Sequence, residues 1–262
     1  MTRRAGACSS VASLHAKVGG VELRAGNLAK KLALDPAARS PRAPFSAPTV
    51  SKALRILRRA AARWNAPVIA LVAAESRDPF LTLIGCILSL RTRDETTAVA
   101  ARELFARART PSATLALSHR QLEKCIYPGG FYRTKARVIR QLCRDLIDKL
   151  DGRVPDDIDT LLTLKGVGRK TANLVVTQAY RKPGICVDTH VHRISNRWGL
   201  VRTATPEKTE AALRAVLPRR HWLEYNGLLV AFGQTICQPR FPLCSRCPIE
   251  GLCPKIGVIR SR

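Results

Sequence analysis

The chain has 262 residues, 46% of them hydrophobic, enough to bury a substantial core. Its 45 lysines and arginines outnumber 19 aspartates and glutamates, giving a formal charge of +26, an excess that folding does not require and that a polyanion exploits through counterion release. Nucleic acid is the first candidate partner. No apolar run approaches the roughly 20 residues that cross a bilayer, so no membrane partner is expected, and nine cysteines, five of them scattered singly, argue for a reducing compartment rather than a disulfide framework.

Residues 1–48 are rich in Ala, Arg, Ser and Pro, with basic residues such as Arg3, Arg4, Lys30 and Lys31 and no sustained periodicity. They read as a mobile basic arm, and an Arg-rich, acid-poor start is also the composition of an organellar transit peptide. From Ser51 the pattern turns helical. Asp78-Pro79 supplies an N-cap and first-turn pair before FLTLIGCILSL, and Asp94 is placed to cap ETTAVAARELFARA. In RTKARVIRQLCRDLIDKL, Val138, Leu142, Leu146 and Leu150 stand four apart, and Gly152 ends the run. Alternating strand patterns are scarce, so an almost wholly α fold is predicted.

The stretch DIDTLLTLKGVGRKTANLVVTQAY reads as helix, tight turn, helix. Gly166 and Gly168 flank Val167 and permit positive φ and close backbone approach, while a helix opening near Arg169 points its first amides outward. Such a hairpin cradles an anion, suited to a DNA phosphate without reading a base; the same glycines also serve ordinary interhelical turns. Lys170 falls in the first turn of that helix, where the dipole and the neighbours Lys165 and Arg169 disfavour the ammonium form, and a neutral amine is a nucleophile. Eighteen residues on, in CVDTHVHRISNRWGL, Asp188 stands at a helix start, able to cap it and reach across a cleft. Lys170 is also readable as a phosphate contact, and Asp188 as a cap alone. His190 and His192, two apart, point to different faces of a helix and make a poor chelating pair.

Near the C-terminus Cys237, Cys244, Cys247 and Cys253 form a C-x6-C-x2-C-x5-C run. One short loop of this spacing wraps a metal centre, with iron-sulfur and structural zinc both open on spacing alone. Arg240 and Arg246 lie on that loop and are placed to grip phosphates.

Taken in order, LKGVGRKTANLVV, VDTHVHRISNRWGL and the cysteine loop resemble the endonuclease III family of helix-hairpin-helix DNA glycosylase/AP lyases, over roughly residues 51–253. The resemblance implies an all-α fold of two helical domains: a six-helix barrel with the hairpin over residues 72–182, and an iron-sulfur domain from residues 51–71 plus 183–262. DNA would lie over the cleft between them. It matches Lys170 to the family's Schiff-base lysine and Asp188 to its catalytic aspartate. Gly166, Val167, Gly168 and Arg169 match the phosphate-binding hairpin, and the four cysteines the ligands of one four-iron, four-sulfur (4Fe-4S) cluster. In LSLRTRDETT, Arg91 stands where a gap-filling glutamine is usual, and Asp94 matches a carboxylate near the base pocket. In PGGFYRTKA, Phe131 stands where an apolar wedge enters the duplex; it is equally readable as a core aromatic, and Asp94 as a cap. Arg91, and Lys165 in place of a common proline, are departures.

The activity so implied is bifunctional: removal of oxidised or ring-saturated pyrimidines, then β-elimination at the abasic site. The expected partner is double-stranded DNA carrying damaged bases or abasic sites, bound by a monomer in the bacterial cytoplasm, or in an organelle or nucleus if the host is a eukaryote. The alternatives are a monofunctional mismatch glycosylase and a noncatalytic DNA-binding module.

Overall fold

In the computed structural model, residues 42–64, 72 and 78–262 are described. Most of the basic stretch expected as an arm lies outside them. Its last residues do not: helix α1, Ala47–Ala61, begins inside the segment assigned to the arm, four residues before Ser51. Ser46 caps it by accepting the Thr49 N–H, and Phe45, just before the cap, stacks on Trp198 with ring centroids 4.9 Å apart. Val50, Ala53, Leu54 and Leu57, at i, i+3, i+4 and i+7, are all buried.

A first core is built by the helices that follow. Helix α2, Pro79–Ser89, starts as predicted on Asp78, whose Oδ1 accepts the N–H groups of Phe80 and Leu81 at 2.8 and 3.3 Å. Every residue from Phe80 to Leu88 is buried, the mark of a central helix packed on all sides. Helix α3, Asp94–Phe105, departs from expectation at its start. Arg93 occupies the cap without a side-chain bond, and Asp94 sits one position later, in the first turn. There its charge still favours the positive end of the helix. Two short helices, α4 (Pro111–Ala116) and α5 (His119–Ile126), lead to α6, Tyr132–Leu150, with Asp151 and Gly152 both left-handed beyond it. The predicted stripe is present: Leu142 and Leu146 are buried, Val138 and Leu150 half-buried. The core closes with α7, Ile158–Thr163, and α8, Arg169–Leu174, which runs on as a π turn over Val175–Ala179.

A second core gathers α1 with α9 (Thr189–Arg197), α10 (Pro206–Val216), α11 (Trp222–Thr235) and the cysteine loop. Trp198, Tyr225 and Phe232 are its largest fully buried side chains. Among the described residues there is no strand. The fold is all-α, as predicted, and residues 41–262 form one compact unit. A small buried group of Cys86, Leu174 and Cys186 brings α2 and α8 against the strap entering α9. In that strap Cys186 Sγ lies 3.6 Å from Lys170 O and the Cys186 carbonyl accepts from Asn226 at 3.2 Å, which ties the start of α8 to α11.

Candidate active site and nucleic-acid interface

The hairpin between α7 and α8 is fixed by local chemistry. Asp157 caps α7 through the Thr160 N–H at 2.8 Å. Gly166 has φ +85, and a Cβ there would meet Val138 Cγ1 at 2.4 Å, so the turn needs glycine twice over. Gly168 differs: it is extended, and nothing lies within 4 Å of where its Cβ would be. The open space beside it leaves room for another molecule to approach the backbone. Val167, grouped with the glycines as a DNA contact, turns inward. Its side chain joins the first core and its N–H donates to Leu164 O at 3.1 Å. The apolar side chain is worth more in the core than beside a phosphate. Arg169 is half exposed and already committed to Glu210, at 3.0 Å from Nε to Oε2. Glu210 is buried and also receives Arg214 at 2.9 Å and Asn173 at 3.3 Å, so this carboxylate locks the start of α8 to α10.

Lys170 stands exposed in the first turn of α8, and Asp188 is the N-cap of α9, accepting the His190 and Val191 N–H groups at 2.9 and 2.8 Å. Both bonds fall on Oδ1, so capping engages one oxygen of the carboxylate. The two side chains line one cavity of about 250 Å³, together with Asp94, His190, Gln178, Asn226 and Gln234. Helix α9 supplies the carboxylate, α8 the amine, and α11 the far wall. Burial pushes the His190 imidazole below its usual pKa, with the Asp188 carboxylate opposing that shift. His192 points elsewhere, with Nδ1 2.7 Å from Thr209 Oγ1.

Sequence reasoning missed Gln178, Asn226 and Gln234. A signal existed for two of them: in WLEYNGLLVAFGQT, Asn226 and Gln234 are polar residues eight apart in an apolar helix, hence on one face. Arg91 and Phe131 are outside the cavity wall, on adjoining loops. Both have left-handed backbones, φ 51 and 57, and the Arg91 guanidinium carbon lies 5.5 Å from the Phe131 ring centroid. Phe131 is 61% exposed, so it is not a core aromatic.

Cys237, Cys244, Cys247 and Cys253 line a second, apolar cavity beneath α9 and α11. Burial raises the thiols of Cys237, Cys247 and Cys253, to about 12 at Cys247 and about 11 at Cys253. Among the described residues no three His, Cys, Asp or Glu side chains converge as the donors of a single ion. Arg197 donates to Cys237 Sγ at 3.3 Å and to the Gln238 carbonyl at 2.7 Å, and Arg42 reaches the Cys253 carbonyl at 3.2 Å, so the loop is held from two sides. Arg240 and Arg246 are exposed on it.

Residues 84–219 match the HhH-GPD superfamily of base excision DNA repair proteins. The endonuclease III of Thermotoga maritima is 49% identical over 176 residues, which are 67% of this chain and 83% of that protein. The chain belongs to the HhH-GPD superfamily of base excision DNA repair proteins. It is a DNA glycosylase of the endonuclease III group, and the family resemblance read from the motifs is correct. The endonuclease III-like protein 1 of Bos taurus is 41% identical across 72% of this chain and 66% of its own length; for the chloroplastic endonuclease III homolog 1 of Arabidopsis thaliana, 41% identity spans 67% of this chain and 48% of the relative. Among solved structures, a trapped endonuclease III–DNA covalent intermediate shares the fold with TM-score 0.70 and 36% identity, over 80% of this chain and 96% of that one. A thermostable thymine-DNA glycosylase follows at TM-score 0.66 and 27% identity, over 78% and 93% of the two chains.

Proposed function

We propose that this HhH-GPD glycosylase removes oxidised or ring-saturated pyrimidines from duplex DNA and then cuts the strand at the same site, with Lys170 as nucleophile. One observation carries the reading: Lys170 and Asp188, from different helices, line a single cavity whose other walls offer the amides of Gln178, Asn226 and Gln234. At about 250 Å³ the cavity has room for far more than a single ordered water. Amide groups there suit the hydrogen-bonding edge of an extruded base, and a base that has lost planarity stacks poorly and leaves the duplex more readily.

The neutral Lys170 amine attacks the sugar anomeric carbon. The bond to the base breaks, and its electron pair leaves with the base, which takes up a proton. Asp188 stabilises positive charge on the sugar and accepts a proton from the amine. The anomeric carbon becomes the carbon of an imine as the sugar ring opens and its ring oxygen takes up a proton, which acidifies the C–H next to that carbon. Loss of that proton expels the 3′ phosphate oxygen, and water then hydrolyses the imine and frees Lys170.

The two cores correspond in this reading to a hairpin-bearing lobe and a cysteine-bearing lobe, with the damaged strand between them. The open space at Gly168 and the first amides of α8 suit a backbone phosphate. Arg91 and Phe131 stand beside the cavity as the residues that enter the duplex, and Arg240 and Arg246 reach its backbone. The cysteines fit a 4Fe-4S cluster: four half-buried thiols line one apolar cavity, and thiolates are the ligands such a cluster takes. Bound there, the cluster would crosslink the loop that carries Arg240 and Arg246. Among the described residues no helix is long and apolar enough to cross a membrane. The enzyme acts as a monomer wherever the host keeps its DNA, the bacterial nucleoid or a eukaryotic nucleus or organelle.

The likeness to a thymine-DNA glycosylase supports a second reading, a monofunctional mismatch enzyme. A duplex with one ring-saturated thymine separates the two. The parent is expected to release the base and nick the strand without alkali, and Lys170→Ala to do neither; nicking by the parent only after alkali would establish the monofunctional reading.

A further inference from the structure

Beneath the loops of Arg91 and Phe131 lies a buried lysine that the reaction does not use. Lys135, in the first turns of α6, is 6% exposed. Its Nζ donates to Leu88 O, at the end of α2, at 2.5 Å and to Thr92 Oγ1 at 2.7 Å. The same Thr92 oxygen accepts the Gly130 N–H at 3.1 Å and lies 3.3 Å from Leu90 O. One hydroxyl therefore joins the loop after α2 to the loop before α6, and the lysine holds that hydroxyl from below.

The two loops are also in backbone contact, since a Cβ on Gly130 would lie 2.6 Å from Arg91 O. Neither Arg91 nor Phe131 sits in a backbone conformation that its side chain favours, so each needs its surroundings to keep it there. Their side chains meet above the network, guanidinium against ring. A buried ammonium is costly to desolvate, and among the described residues no carboxylate pairs with this one. A methionine would fill the space at lower cost but could not bond to either loop.

We propose that Lys135 is a positioning residue which, through Thr92, sets Arg91 and Phe131 side by side as one unit that fills the duplex when a base is extruded. The inference rests on the glycosylase reading of the cavity. Burial brings the Lys135 ammonium down to about 8, which leaves it charged at neutral pH and able to make both bonds charge-assisted.

The test uses the cluster-replete full chain, with Lys135→Met, Lys135→Gln and Thr92→Val beside the parent. Three readouts are taken: single-turnover base removal from a damaged duplex at saturating enzyme, the fluorescence of 2-aminopurine opposite the lesion, and borohydride trapping on a single-stranded abasic oligonucleotide. Lys135→Met is expected to lower base removal at least tenfold and to flatten the 2-aminopurine rise, while single-strand trapping stays within twofold of the parent. Lys135→Gln, which keeps amide donors, recovers part of both losses. Thr92→Val lowers base removal by a similar factor, and the double variant is no worse than the poorer single one. Parent-like base removal and fluorescence in Lys135→Met would overturn the proposal. So would a loss of single-strand trapping in step with base removal, which marks a merely structural lysine; should Lys135→Met not fold, Lys135→Gln and Thr92→Val decide the matter. A parent that gives no adduct on the abasic oligonucleotide refutes the underlying lyase reading instead, and is distinguishable because the parent alone reports it.

Discussion

Asp188 serves two ends with one carboxylate: Oδ1 holds the first turn of α9, and the group as a whole faces Lys170 across the cavity. Asparagine caps a helix about as well as aspartate but carries no charge. Asp188→Asn should therefore change unfolding free energy by less than about 1 kcal/mol while slowing single-turnover base removal ~10²-fold or more. Urea unfolding alongside rapid-quench kinetics checks both halves, and a variant of parental rate would reduce Asp188 to a cap. Lys135 carries a pH signature of its own. Its ammonium titrates near 8 in the folded chain, against an ordinary 10.5. Between those values the unfolded chain binds more protons than the folded one, so this group adds stability as pH rises through that window and nothing more below it. The parent should gain on Lys135→Met at about 1.4 kcal/mol per pH unit there, read from urea midpoints at pH 7.5 and 9.5; a difference that stays constant would show that the lysine is not desolvated.

At the scale of the element, the hairpin separates two kinds of glycine. Gly166 is required by the fold, by its positive φ and its contact with Val138, whereas Gly168 has room for a side chain. Gly166→Ala should cost about 2 kcal/mol or more. Gly168→Ala should leave stability within about 0.5 kcal/mol and weaken DNA binding, because the methyl group occupies the approach to the backbone. Equal loss of stability in both variants would refute this division. The hairpin, the Asp78 cap and the Asp188 cap were legible in sequence because each is decided within a few residues. Asp94 was misplaced by one position because an acid at the cap and an acid in the first turn satisfy the same dipole. The start of α1 was missed because its anchor, Phe45 on Trp198, is a contact across more than 150 positions of chain. The cavity's far wall was hidden for the same reason, with Gln178 on a π turn that no periodicity announces. Lys135 looked like any basic residue of an amphipathic helix; only packing shows that it points inward.

Across the whole molecule the charge of +26 sets how binding depends on salt. A surface that neutralises six to ten phosphates loses roughly 10³ to 10⁵ in affinity between 50 and 200 mM salt. Beside the hairpin, Arg137, Arg140, Arg144 and Lys165 line one groove. If DNA follows the hairpin into that groove, Arg137→Ala with Arg144→Ala should flatten the plot of log K against log salt by about 2; an unchanged slope would put the DNA track elsewhere. The central claim concerns chemistry rather than grip, and borohydride trapping on a duplex with one abasic site tests it most directly. The account predicts a covalent protein–DNA adduct with the parent and none with Lys170→Ala at equal DNA occupancy. An adduct of undiminished yield in Lys170→Ala, or none with a cluster-replete parent, would contradict it.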